Sequence, residues 1–216
     1  LPYTEDFEGG SSLNCWSSVI ELGTYDWYFT GQGTGISTSP VTTAHGGSKN
    51  AIRNYGFGSS SVHYQTKLVT PQLDITTVSQ PRLEFWYANP TYTTYNENDV
   101  IYLYYRTHPN AQWNLFDSIV DPANVWTRHR VALPNMSTTY QVAIEAVSGY
   151  YIDHYGRGVG IDDILISETP LCADPTFNML TAVGSSGASV TYTRPTALPA
   201  NGFEIELRMS GLAGSG

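Results

Sequence analysis

Apolar and polar positions alternate with a period of two along most of this chain, and Gly, Pro, Asn and Ser clusters cut the runs short. The pattern predicts strands over residues 16–22, 25–30, 50–55, 63–70 and 82–88. Further strands follow over 100–107, 113–119, 126–133, 140–147 and 158–167. Helical spacing of apolar residues is almost absent. So many short strands without a helix predict an all-β fold, two antiparallel sheets packed face to face as a sandwich. In RLEFWYA, Leu83, Phe85 and Tyr87 share one face while Glu84 and Trp86 share the other. VIYLYY, residues 100–105, is apolar or aromatic on both faces, as a central strand requires.

SETPLCADP, residues 167–175, carries two prolines and marks a boundary. It divides the chain into a domain over residues 1–168 and a segment over 169–216. The segment predicts strands over 177–183, 188–194 and 202–209, too few for a strong core of its own.

Composition narrows the function. The chain has 216 residues, a net charge of −9 and only two lysines, Lys49 and Lys67, which argues against nucleic acid as a partner. No run approaches the ~18 apolar residues of a membrane span. Sixteen tyrosines, many Ser and Thr and few charges point to a secreted or cell-surface β-protein. Five scattered histidines lack the spacing of a zinc-protease helix, and neither a GxSxG elbow nor a Cys/His protease signature occurs. The chain reads as non-catalytic.

Two stretches carry candidate chemistry. VGIDDILIS, residues 159–167, places Asp162 and Asp163 side by side in an apolar run. Strand alternation turns neighbours to opposite faces, and a bare carboxylate in a dry core is costly unless paired or bound to a cation. In YTEDFEGG, residues 3–10, Asp6 and Glu8 flank Phe7. One reading joins the first and last strands and lets their carboxylates share a hard cation, calcium. The other leaves two solvated acidic strand ends. Cys15 and Cys172 lie near the two ends of the first domain; they form a disulfide if those ends meet, or remain as thiols if not.

The inserts over residues 31–47, 89–99 and 148–158 are rich in Gly, Thr, Tyr and Asn. Tyr92 and Tyr95 occupy one; Tyr150, Tyr151, His154, Tyr155 and Arg157 crowd another. Such side chains suit stacking on sugars or contact with protein, and equally suit covering the ends of a sandwich core.

The order FEGG, NCW, HGGSKNAI, KLVTPQLDI, RLEFWYA, Trp126 and GIDDILIS resembles the MAM-like jelly-roll domains, in particular the cleaved-adhesin (choice-of-anchor J) modules of Bacteroidota surface proteins. The likeness covers about residues 1–168. MAM domains carry four cysteines, and only Cys15 matches one of those positions, which favours the bacterial branch. The resemblance implies a two-sheet jelly roll with a structural calcium ion. Its side-chain ligands would be Glu8 and Asp162, with carbonyls of Ser48 or Lys49 and with Asp6 as a weaker candidate. Asp163, on the opposite face, would accept hydrogen bonds. The resemblance further implies an adhesion or carbohydrate- or protein-binding module of a larger multidomain protein, its partner a glycan or a host or cell-surface protein. An ancillary domain of a secreted protease or glycoside hydrolase is the alternative. The segment after Pro170 resembles the first three strands of a fibronectin type III domain, with Tyr192 where such domains carry a tryptophan.

Overall fold

The alternating segments fold as strands, and among the described residues the only helix is a single 3-10 turn, Leu13–Cys15. The computed structural model describes residues 1–9, 13–54, 63–94, 96–148, 156–169, 176–184 and 187–193. The chain forms two compact units, Leu1–Glu168 and Thr169–Gly216.

The first unit is a jelly-roll sandwich. Its six-stranded sheet runs β3 (Tyr28–Thr30), β4 (Asn50–Arg53), β11 (Val159–Glu168), β6 (Pro81–Asn89), β9 (Ala123–Ala132), with β1 (Tyr3–Glu5) also pairing to β11. The five-stranded sheet runs β2 (Ser17–Leu22), β5 (Tyr64–Val69), β10 (Gln141–Ser148), β7 (Val100–Arg106), β8 (Asn114–Ile119). All pairings are antiparallel. The first and last strands of the domain do meet, Tyr3 opposite Ile166 and Glu5 opposite Ile164.

Leu83, Phe85, Ile161, Ile164 and Ile166 of one sheet pack into a single core with Leu68, Ile101, Leu103, Val142 and Ile144 of the other. Residues 25–27 are not a strand. Trp27 instead turns into the core and donates its indole Nε1 to Thr66 O at 3.0 Å. The run VIYLYY has one core face only: Ile101 and Leu103 point inward, while Tyr102 and Tyr104 stand on the outward face, half-buried.

Alternation fails at Asp162. The β11–β6 register shifts between Asp162 and Leu165, and Asp163 adopts a left-handed φ of 47°. Such a bulge adds a residue and re-aims side chains, so the two aspartates no longer point to opposite faces. On its other edge β11 pairs with β4 up to Ile161 and with β1 from Ile164. The bulge sits at that change of partner.

The second unit shows one antiparallel hairpin, β12 (Thr176–Gly184) with β13 (Gly187–Thr193). The expected strand over 202–209 and the Tyr192 side chain lie outside the described residues.

Candidate functional site

At the bulge, the turn over residues 45–49 is gripped by acids of the last strand and by Glu8, three residues beyond the first strand. Asp162 has no exposed surface. Its Oδ2 accepts the amides of His45 (2.9 Å) and Gly46 (3.2 Å), and its Oδ1 accepts that of Asp163 (2.9 Å). Burial pushes its pKa up to about 6, against those hydrogen bonds and with Asp163 adding to the rise. Asp163 Oδ2 lies 2.6 Å from His45 Nδ1. It therefore faces the same turn as Asp162, contrary to the expectation from alternation.

Glu8 holds the other side of the turn. Its Oε1 accepts the amides of Ser48 (2.5 Å) and Lys49 (2.7 Å), and its Oε2 accepts Ser48 Oγ at 2.6 Å. These bonds, Ser48 Oγ first, lower its pKa. Gly47 has a φ of 54°, and a Cβ there would displace Glu8 Oε1 from its place on the turn, which favours glycine. Ser48 and Lys49 thus meet Glu8 through amides. The Ser48 carbonyl packs against Gly31 instead. Asp6 is exposed and accepts the Glu8 amide at 3.1 Å, away from the turn. Among the described residues, no three His, Cys, Asp or Glu side chains form a metal-holding group.

Of the aromatic loop candidates, the structure joins two. The Arg157 guanidinium lies 4.1 Å from the Tyr92 ring centroid and donates to Thr38 Oγ1. Tyr95, Tyr150, Tyr151, His154 and Tyr155 lie outside the described residues. So does Cys172; Cys15 is exposed at the end of its 3-10 turn.

Sequence reasoning missed two polar clusters. On the outward face of the five-stranded sheet, Lys67 Nζ contacts Glu145 Oε1 (2.7 Å) and Glu21 Oε1 (2.5 Å) and lies 4.4 Å from the Tyr104 ring centroid. Burial raises the pKa of Glu145, with Lys67 opposing, and burial also raises that of Tyr104. Along the same face, Arg106 donates through Nε (3.0 Å) and Nη2 (2.7 Å) to Gln141 Oε1 and stacks on Trp113 at 4.3 Å. The signal was present: Lys67 and Glu145 are lone charges inside apolar runs, which neighbouring strands bring opposite each other.

The second cluster ties the sandwich together at one end. Arg53 of β4 is buried and donates through Nη2 to Ser148 Oγ (2.6 Å), Ala146 O (3.4 Å) and Tyr64 O (3.5 Å), all on the opposing sheet. Asp99, also buried, accepts the amides of Gly156 (3.2 Å) and Gly158 (3.1 Å). Desolvation pushes its pKa up to about 6, and the Arg53 charge opposes the rise. A folded pKa above the unfolded 3.8 means a contribution fully present below pH 3.8 and lost as pH rises through about 6. Lowering the pH from 7 to 5 should therefore add about 1 kcal/mol from this group. In denaturant titrations at the two pH values, Asp99→Asn should remove that gain; an equal gain in the variant would show that Asp99 is not its source.

The comparisons place the domain. The profile of the MAM domain (meprin/A5/mu) matches residues 6–173. No curated protein matches the chain in sequence. The K1 cleaved adhesin domain of Lys-gingipain from Porphyromonas gingivalis W83 is similar in structure, with a TM-score of 0.50 and 16% identity over 79% of this chain and 99% of that one. Also similar is TmCBM61, solved with beta-1,4-galactotriose (TM-score 0.48, 13% identity, 76% and 94% covered). The C-terminal family 22 carbohydrate binding module of Clostridium thermocellum Xyn10B gives a TM-score of 0.49 at 10% identity, covering 80% of this chain and 95% of that one. With a jelly roll whose terminal strands pair, and a family profile that matches it from residue 6 to its end, this chain belongs to the MAM domain family.

Proposed function

We propose that the domain is a non-catalytic, extracellular glycan-binding module of a larger adhesive protein, stabilised by calcium. The observation that carries the reading is the outward face of the five-stranded sheet. There Tyr102, Tyr104 and Trp113 offer aromatic surface beside hydrogen-bonding groups already held in place by Lys67, Glu145, Arg106 and Gln141. Rings with fixed polar neighbours suit a sugar, whose faces are apolar and whose edges are hydroxyls. Lys67 sits between Glu21 and Glu145, where a glycosidic oxygen would have to lie between two catalytic acids, so these two acids are not placed for hydrolysis. Affinity electrophoresis through xylan, galactan and mixed-linkage glucan should retard the chain. Tyr102→Ala should weaken that retardation about tenfold, equivalent to about 1.4 kcal/mol. Passage unretarded through all neutral polymers would refute the five-stranded face as a glycan-binding surface.

Calcium would be held by Glu8 and Asp162, with water and carbonyls of the intervening turn completing the shell. Two features of the donor set support the fit. Asp162 is a buried carboxylate next to a second one, and the causes of its raised pKa include no positive charge. After the hydrogen bonds given above, Asp162 Oδ1 and Glu8 Oε2 each keep a lone pair. When bound, the ion would supply the charge that lets Asp162 stay ionised. Its role is structural, and Ser48, Lys49 and His45 position the turn around it.

A further inference from the structure

Building on the reading of the domain as a glycan-binding module, we infer that the outward face of the six-stranded sheet is a second binding surface, selective for acidic glycans. The chain has nineteen Asp and Glu against ten Lys and Arg. Three of those ten, Arg82, Arg128 and Arg130, nevertheless gather on the adjacent strands β6 and β9 around the carboxylate of Glu84. The register makes the cluster: Glu84 stands opposite Arg130, and Trp86 opposite Arg128. Glu84 Oε2 takes Arg130 Nε at 2.9 Å and Arg82 Nη2 at 3.3 Å, and its Oε1 is 3.6 Å from Arg128 Nη1. One carboxylate is thus shared among three guanidinium groups. Among the described residues, the acids at the neighbouring turn are engaged: Asp163 by His45, Asp162 by three amides, and Glu8 by Ser48 and Lys49.

Arg128 has the loosest of the three contacts and the most exposed side chain, at 44%. A planar guanidinium matches a carboxylate or sulfate through paired N–H donors, which makes Arg128 the anchor. Next to it, two indoles differ in what they can offer. Trp86 already has two partners, His45 stacked on it at 3.9 Å and the Arg128 guanidinium 5.8 Å from its ring centroid. Trp126 rests on Gly160, where a Cβ would come within 2.9 Å of its Cη2, and its Nε1 donates to Thr43 O at 3.0 Å. This indole is half-buried and held in one orientation. It serves as the stacking platform, and Arg128, two residues along the strand, takes the acid group of the same sugar or the next. A chain of net charge −9 is repelled by polyanions at long range, so capture of one needs a local patch of this kind.

The test is affinity electrophoresis of the whole chain through polygalacturonate, which carries carboxylates, and through heparin, which adds sulfates; xylan is the neutral polymer. Wild type should be retarded by at least one acidic polymer, and which one identifies the anion. Arg128→Gln should lose about tenfold in that retardation, as removal of a charge-assisted contact predicts. It should keep its melting temperature and its retardation by xylan. Trp126→Ala should also lose acidic binding, whereas Tyr102→Ala should lose only xylan. Passage unretarded through both acidic polymers, or retardation unchanged in Arg128→Gln, would overturn the second surface while leaving the five-stranded face intact. Poly-L-glutamate competing as well as free oligogalacturonate, with Trp126→Ala indifferent, would show a charge-only contact and overturn the glycan assignment. A chain that binds acidic polymers through Arg128 but no neutral one keeps this surface and loses the other.

Discussion

Arg53→Met will destabilise the first domain by about 3 kcal/mol, because it strands buried acceptors and removes the positive charge that offsets the buried Asp99 carboxylate. Methionine has a stem of similar reach, so the change removes charge and donors without opening a large cavity. What it leaves behind decides the size of the effect. The side chain crosses the sandwich from β4 to Ser148, Ala146 and Tyr64, so three acceptors lose a donor at once. Asp99 loses the positive charge that opposes its desolvation. Buried acceptors and an uncompensated carboxylate each cost more than the bonds themselves were worth. Urea unfolding with linear extrapolation measures the loss, and a change below about 1 kcal/mol would mean that the Arg53 charge is electrostatically idle. The double variant with Asp99→Asn should be more stable than the sum of the two single changes predicts, because the second substitution removes the stranded charge. Since Asp99 also holds the amides of Gly156 and Gly158, the base of the 148–158 insert should loosen in either variant. Faster amide exchange at Gly158 would report it.

Most of the fold was legible because the period-two pattern is a direct consequence of one buried face per strand. Leu83, Phe85 and Tyr87 point inward as their spacing required. So was the meeting of the first and last strands, through the acids that each end carries. Three things were hidden, each for a physical reason. Alternation assumes a regular strand, and the bulge at Asp163 breaks it, so the two aspartates reach one turn rather than two faces. The charges of Lys67 and Arg53 stand in strands that look apolar, and only the pairing of β5 with β10, and the packing of β4 against the other sheet, reveals their partners. The guanidinium cluster is spread over residues 82–130 in sequence, and the β6–β9 register alone makes it a patch. Aromatic richness in VIYLYY was ambiguous, since a central strand and a strand presenting tyrosines outward produce the same string.

Adding calcium to the chelator-treated chain should raise its melting temperature, and Asp162→Asn should abolish the response. The size follows from linkage: an ion that binds only the folded state contributes RT ln(1 + [L]/Kd), about 3 kcal/mol at a hundredfold excess over Kd. For a domain of this length that corresponds to about 6–12 °C. Asp162 is the side chain to change because it is buried beside Asp163, and burial already holds its pKa near 6 in the absence of any compensating charge. Asparagine keeps the shape and can still accept the amides of His45 and Gly46, so the turn has reason to stay in place while the charge is lost. Glu8→Gln should weaken the response as well, because Glu8 grips the same turn from the segment that follows the first strand. Asp163→Asn should preserve it, since that carboxylate is engaged with His45. Magnesium should substitute poorly, because it demands short octahedral contacts that carbonyls and two bound carboxylates on a turn do not supply. A melting temperature indifferent to calcium and chelator would remove the ion from the account. The amide bonds to Glu8 and Asp162 would then be the whole of what holds the turn between the terminal strands.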